Sequence, residues 1–396
     1  MARIGIYGGS FNPPHLGHIL AAQEFVRALE LDVLLLVPAA VPPHKVMPPN
    51  SPDADTRLKL LQLAAQELSC ARVDDLELHR EGASYTVDTL RILRQRYPDD
   101  TLYLCMGTDM FASFDSWYCP DEICSLAQIA VAYRDREDND KLREKADALR
   151  KAFGAEVTFV ENRFLEISST TVRRLLILGG AERYLAPSVM DYIQKKGLYG
   201  TGKCRKGLSF EELMAESLPL HKESRVAHVI GCSRTARELA EVYGVNAEDA
   251  ARAGILHDIT KALGGREQLH LCEKYGIMTD TFEREHPKML HGATASAVAE
   301  YVFGENKAVC TAIRWHTSGR AGMSTLEKIV YVADYIEPNR DFPGVEELRR
   351  LAYADLDGAM LLGLEMTVEN LRQRGQLLGG RSRDAIEDLK ARKEQP

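Results

Sequence analysis

The sequence predicts an α/β Rossmann-like domain, a parallel sheet with helices on both faces, followed by an all-α domain. Three observations predict it. Strand-like and helix-like stretches alternate from residue 1 to about 198. Convincing strands stop near residue 200. Seven of the eleven histidines fall in the strand-free half, a first hint of metal chemistry. At 396 residues the chain is also too long for one ordinary core.

The elements follow in order. Arg3–Tyr7 is a short apolar strand, and His15–Glu30 has helical periodicity with Ile19, Ala22, Phe25, Val26 and Leu29 on one face. Val33–Val37 is a continuous apolar run, suited to a strand buried on both faces. A Pro-rich loop covers 38–52. Arg57–Leu68 reads as helix, Val73–Leu78 as strand, Thr86–Arg96 as helix, Leu102–Met106 and Ile129–Ala132 as strands. Lys141–Phe153 is a charged helix and Val157–Val160 the last strand. Alternating βα units imply parallel pairing, and ligands then bind beyond the carboxyl ends of the strands.

Residues 199–207 are rich in Gly and Lys and lack apolar periodicity, which predicts a flexible linker between halves that work separately. Helices are expected over Arg225–Tyr243, Ala247–Leu263, Glu267–Tyr275, Ala293–Phe303, Lys307–Trp315, Leu326–Ile336 and Val345–Gln373. The domains are thus 1–198 and 208–380, with a polar tail over 381–396. A formal net charge of −8 argues against broad nucleic-acid binding. No apolar run is long enough for a bilayer, and no h-region marks a signal peptide. Eight scattered cysteines without a Cys-x-x-Cys pair read as reduced thiols of a cytoplasmic protein. Oligomeric state stays open, a homo-oligomer among the options.

The first strand runs into Gly8-Gly9-Ser10-Phe11-Asn12-Pro13-Pro14-His15-Leu16-Gly17-His18 and then a helix. Gly8 and Gly9 allow close approach and unusual φ angles. A strand-to-helix turn offers free N–H groups and a positive dipole end to phosphates. His15 and His18, three apart, share one side of the first turn, with Gly17 leaving room for a nucleotide. Two imidazoles facing one phosphoryl group can donate hydrogen bonds as its oxygens gain charge. A second segment, Ile167-Ser168-Ser169-Thr170-Thr171-Val172-Arg173-Arg174, puts Arg173 one turn into a helix, in reach of a triphosphate.

Together these segments resemble the HxGH nucleotidyltransferases, and within them the bacterial nicotinate-nucleotide adenylyltransferases, over about residues 1–198. The resemblance implies transfer of AMP from ATP, accompanied by Mg²⁺, to nicotinate mononucleotide. His18 would bond the α-phosphate, while His15, Lys45 (in Pro42-Pro43-His44-Lys45) and Arg173 steady the polyphosphate. Gly8, Gly9, Ser10 and Phe11 would line the site, and Ile167, Ser168, Ser169 and Thr170 would hold ATP. Thr86, Trp117 and Tyr118 would hold the nicotinate ring, and Gly107-Thr108-Asp109 would bring Asp109 to ribose. Pantetheine-phosphate adenylyltransferase and small cytidylyltransferases are the rival readings.

In the second half, Gly254-Ile255-Leu256-His257-Asp258-Ile259-Thr260-Lys261 gains meaning from its neighbours. His228, His291, His316 and Asp334 lie on other helices, and a carboxylate inside the apolar run Ile329–Ile336 is costly unless paired or metal-bound. Imidazoles with carboxylates suit Fe, Mn, Co or Zn, with Fe the expected metal, and the set lacks the thiolates of structural zinc sites. The pattern resembles the HD-domain phosphohydrolases, and the surrounding residues resemble bacterial symmetrical diadenosine tetraphosphate hydrolases, over about 208–380. That resemblance implies that His228, His257, Asp258, His291, His316 and Asp334 hold two metal ions. It also implies that diadenosine tetraphosphate is cut to two ADP. Lys261 and Arg340 are candidates to neutralise phosphate, and His286 has no place in the pattern. Action on other nucleotides, or metal-dependent ligand sensing, are the rivals.

Overall fold

The computed structural model describes residues 1–43, 46–133, 139–161 and 167–393. The chain forms two compact units, Met1–Ile177 with Ala181–Gly202, and Leu178–Gly180 with Lys203–Pro396.

The first unit contains β1 (Arg3–Gly9), α1 (Leu16–Ala28), β2 (Val33–Pro38), α2 (Ala54–Ala65), β3 (Ala71–Val73), α3 (Thr86–Arg96) and β4 (Thr101–Gly107). It continues with α4 (Thr108–Ala112), α5 (Pro120–Leu126), β5 (Gln128–Tyr133), α6 (Asn139–Phe153), β6 (Val157–Glu161), α7 (Ser169–Leu178) and α8 (Pro187–Lys196). The six strands are all parallel, in the order β3-β2-β1-β4-β5-β6. The order reverses between β1 and β4, so connections leave their carboxyl ends in opposite directions and open a crevice there. Leu34, Leu36 and Val37 of β2 are fully buried, as an apolar run between two helical layers should be. The expected strand Val73–Leu78 is instead the three-residue β3: Asp74 Oδ1 takes the Leu76 N–H and the Leu78 N–H bonds Asp75, so the acidic pair turns the chain.

The second unit contains α9 (Phe210–Ser217), α10 (Glu223–Val242), α11 (Ala247–Leu256), α12 (Gly265–Lys274), α13 (Thr281–Glu285) and α14 (His291–Val298). After these come α15 (Lys307–Trp315), α16 (Thr325–Ile336), α17 (Val345–Ala352), α18 (Leu356–Gln373) and α19 (Gly380–Lys393). Helix α16 is buried nearly all round and packs against α10, α11, α15 and α18. Several expectations change. The helix expected over Ala247–Leu263 ends at Leu256, and tight bonds such as Lys261 N–H to Asp258 O wind the next turns. Val345–Gln373 is two helices, because Asp355 caps the Gly358 N–H and starts α18 anew. The expected tail at 381–396 is helix through Lys393, with Ser382, Ala385 and Leu389 buried. The expected linker holds buried Tyr199 and Arg205.

Glycine at 254 is required by a close helix crossing: a Cβ there would stand 2.6 Å from the Ser233 Cα of α10. This contact brings His257 to His228. Gly254→Ala is expected to cost about 1–3 kcal/mol and to weaken metal retention, read by denaturant unfolding and by metal analysis of the same sample.

Candidate active site and metal centre

At the end of β1 the strand continues through Gly9, and neither Gly8 nor Gly9 takes a positive φ. The left-handed residue is Phe11, at φ 42°. Gly9 is needed for close approach instead, since a Cβ there would meet the Phe11 ring at 3.3 Å. Gly17 likewise leaves no vacant berth for a nucleotide: a Cβ would stand 3.0 Å from both His15 Nδ1 and Ile167 Cγ2. Its missing side chain lets those two groups meet.

His15 precedes the first turn of α1, and its backbone N–H donates to His18 Nδ1 at 3.1 Å. Nδ1 is therefore an acceptor, which leaves the proton of neutral His18 on Nε2 as a donor. The two rings lie 3.7 Å apart, and Phe11 packs edge-on to His18. The start of α7 is tied to the same loop: Ser169 Oγ donates to Pro13 O at 3.0 Å and Arg173 Nη1 to Asn12 O at 2.6 Å. Arg173 Nη2 also reaches Thr170 Oγ1, while Ser168 Oγ accepts the Thr171 N–H. Two helix N-termini thus meet, each bringing the positive end of its dipole. Burial pulls the pKa of Arg173 down.

Arg57 is a residue the sequence reading missed. It is buried and donates to Ser10 O at 3.0 Å, Ala39 O at 2.7 Å and Ala40 O at 3.2 Å, clamping the loops after β1 and β2. Gly107 ends β4 facing open space, and Asp109 is exposed in α4 beside it. Thr86 opens α3; its neighbour Tyr85 lies 4.9 Å from the exposed Tyr118 ring. Trp117 packs on Phe114 and the apolar core. Lys45 lies outside the described residues.

The six expected ligands of the second unit come together. Two groups have donor atoms within 4.8 Å of one another: His228, His257 and Asp334, and His257, Asp258 and His316. His291 Nε2 joins them at 3.2 Å from His316 Nε2 and 3.4 Å from Asp258 Oδ1. Asp258 spans the cluster, with Oδ2 at 3.5 Å from His257 Nε2 and 3.8 Å from His228 Nε2, and Oδ1 at 3.6 Å from His316 Nε2.

The surroundings orient each ring. His257, His291 and His316 place Nδ1 at 2.7 Å from the carbonyls of Gly254, Lys288 and Ile313. His228 places Nδ1 3.0 Å from the buried carboxylate of Glu337, which Asn339 holds in turn and which Gly231 accommodates by lacking a Cβ. With Nδ1–H donating outward, Nε2 lone pairs face inward. Glu337, unassigned from sequence, is the orienting partner of His228. Burial pulls His257 below the ordinary imidazole value and His291 down to about 3. Burial acts to raise Asp258 and Asp334, but the cations beside them, Lys261 at the first and Arg340 at the second, help hold both well below the usual carboxylate range.

Lone pairs facing each other at 3.2 and 3.4 Å repel unless a cation lies among them. Four imidazoles with two carboxylates therefore fit divalent metal ions. Arg225 and Lys261 pair with Asp258, and Arg340 with Asp334. His286 is exposed and outside the cluster.

The family model for cytidylyltransferase-like proteins matches residues 6–175, and that for the HD domain matches residues 225–339. The probable nicotinate-nucleotide adenylyltransferase of Syntrophotalea carbinolica is 39% identical over 212 residues, 50% of this chain and 97% of that protein. The one of Oceanobacillus iheyensis is 38% identical over 204 residues, 51% of this chain and 100% of that protein. A crystal structure from Clostridium acetobutylicum, of a predicted HD superfamily hydrolase involved in NAD metabolism, is 35% identical. It covers 47% of this chain and 98% of its own, with a TM-score of 0.46.

Proposed function

Since the chain belongs, through its N-terminal half, to the nicotinate-nucleotide adenylyltransferase family, we propose that this half transfers AMP from ATP to nicotinate mononucleotide, releasing pyrophosphate. The observation that carries the reading is His18, pinned by the His15 N–H so that Nε2 donates, beside two converging helix N-termini. The 5′-phosphate of the mononucleotide is ionised near neutral pH, so it attacks the α-phosphorus without a strong base. Catalysis is then orientation and charge stabilisation. His18 bonds the α-phosphate oxygens as charge grows, and His15, Lys45 and Arg173 steady the polyphosphate. Ile167, Ser168, Ser169 and Thr170 flank the ATP, and Thr86, Trp117, Tyr118 and Asp109 receive the mononucleotide. Mg²⁺ bound with ATP supplies further neutralisation. Pyrophosphate release across a substrate panel tests this reading. Strong preference for nicotinate over nicotinamide mononucleotide is expected; preference for phosphopantetheine would overturn it.

For the HD domain at residues 225–339, the proposed reaction is symmetrical hydrolysis of diadenosine tetraphosphate to two ADP. His228, His257, Asp258, His291, His316 and Asp334 would hold two metal ions, Fe first among Fe, Mn, Co and Zn. Bound there, the metals supply Lewis acidity and an activated water. Lys261 and Arg340, already at the carboxylates, neutralise incoming phosphate. A substrate with two arms is supported by two cavities that reach the cluster. One of about 690 Å³ opens at Asp334 and Arg340, and one of about 330 Å³ at Thr317. ADP as sole nucleotide product is expected; AMP with ATP would contradict the reading.

A further inference from the structure

We propose that the cavity between α13, the end of α15 and the start of α19 binds the nucleoside end of the hydrolase substrate, with Trp315 and Arg381 as its recognition pair. The inference rests on reading the ligand cluster as a nucleotide hydrolase. The cavity reaches the cluster directly. Thr317 lines it, and its Oγ1 is 3.2 Å from His291 Nε2 and 3.1 Å from His316 Nε2. A phosphate at the metals therefore has its next groups in this space. At about 330 Å³ it lies within the range of ligand pockets, roughly 300–1,000 Å³.

Charge decides which part of a nucleotide belongs here. Two cations, Arg314 and Arg381, face three carboxylates, Asp280, Glu283 and Asp384. Such a lining repels a phosphate chain. A neutral base and ribose, carrying both donors and acceptors, suits it. The cations present flat surfaces: Arg314 stands 5.1 Å and Arg381 4.9 Å from the centre of the Trp315 ring. Aromatic and guanidinium planes are what a heteroaromatic base stacks on. Among the described residues the Arg314 side chain makes no hydrogen bond or ion pair, so its donors remain for a ligand. Phe282 and Met289 add apolar wall, and a Cβ at Gly380 would meet nothing within 4 Å, which keeps the mouth open. The wall from α19 lies beyond the residues that match the HD model.

The chain has two tryptophans, Trp117 and Trp315, so Trp117→Phe leaves Trp315 as the only indole reporter. The full-length Trp117→Phe chain, loaded with Mn²⁺, is titrated with ADP and separately with pyrophosphate. ADP is expected to change Trp315 emission saturably and pyrophosphate to leave it unchanged. Arg381→Ala and Phe282→Ala in this background should each weaken ADP by about fivefold or more. Arg381 is exposed, so its loss leaves the fold in place. Equal responses to pyrophosphate and ADP, no response to ADP, or unchanged ADP affinity in both variants would overturn the proposal. If the wild-type chain cut no nucleoside polyphosphate, the hydrolase reading would fall, while the ADP titration would still decide this subsite.

Discussion

His18→Ala is expected to lower pyrophosphate release from ATP and nicotinate mononucleotide by at least about 10²–10³-fold, the usual effect of removing one preorganised transition-state donor. The effect should fall on kcat, because the Nε2 bond strengthens only as negative charge grows on the α-phosphate. The fold should survive. His18 is only half-buried, and its side chain makes a cap-like bond to the His15 N–H. Losing a cap costs roughly 0.5–2 kcal/mol. Circular dichroism and steady-state pyrophosphate assays on the same sample check both halves of the expectation. Near-normal release would remove His18 from the chemistry.

Asp258→Asn is expected to abolish the proposed hydrolysis, with a loss beyond about 10³-fold, and to strip metal from the second unit. Asp258 is the carboxylate whose two oxygens face both halves of the cluster. Asparagine preserves its volume but removes the charge proposed to bind metal. It also leaves Arg225 and Lys261 without their shared partner. Leaving these cations without their carboxylate should lower the unfolding midpoint alongside the metal loss. Elemental analysis reads the first effect and denaturant titration the second. Full metal content in the variant would contradict the placement of Asp258 at the centre.

The parallel sheet was legible because a strand buried on both faces must be continuously apolar, as Val33–Val37 is. The cluster of histidines and aspartates was legible for a related reason. Asp334 inside Ile329–Ile336 violates the apolar pattern and demands a partner. Hidden were features set by contacts distant in the chain. Arg57 looked like an ordinary helical arginine, and nothing local announces that it bonds three carbonyls from two loops. Glu337 reads as a residue before proline, yet it orients His228 from 109 positions away. Helix α19 reads as a polar tail because it buries only three residues in fourteen, too few to give a clear apolar stripe. The roles of Gly9 and Gly17 were misread locally, since the groups filling their missing side chains, Phe11 and Ile167, reveal themselves only in three dimensions.

The decisive measurement assays both reactions on both variants of the full-length chain. Asp258→Asn should lose ADP formation from diadenosine tetraphosphate while retaining pyrophosphate release, and His18→Ala should show the reverse. Loss of both reactions in either variant, despite an intact fold, would contradict two separate phosphate chemistries in one chain.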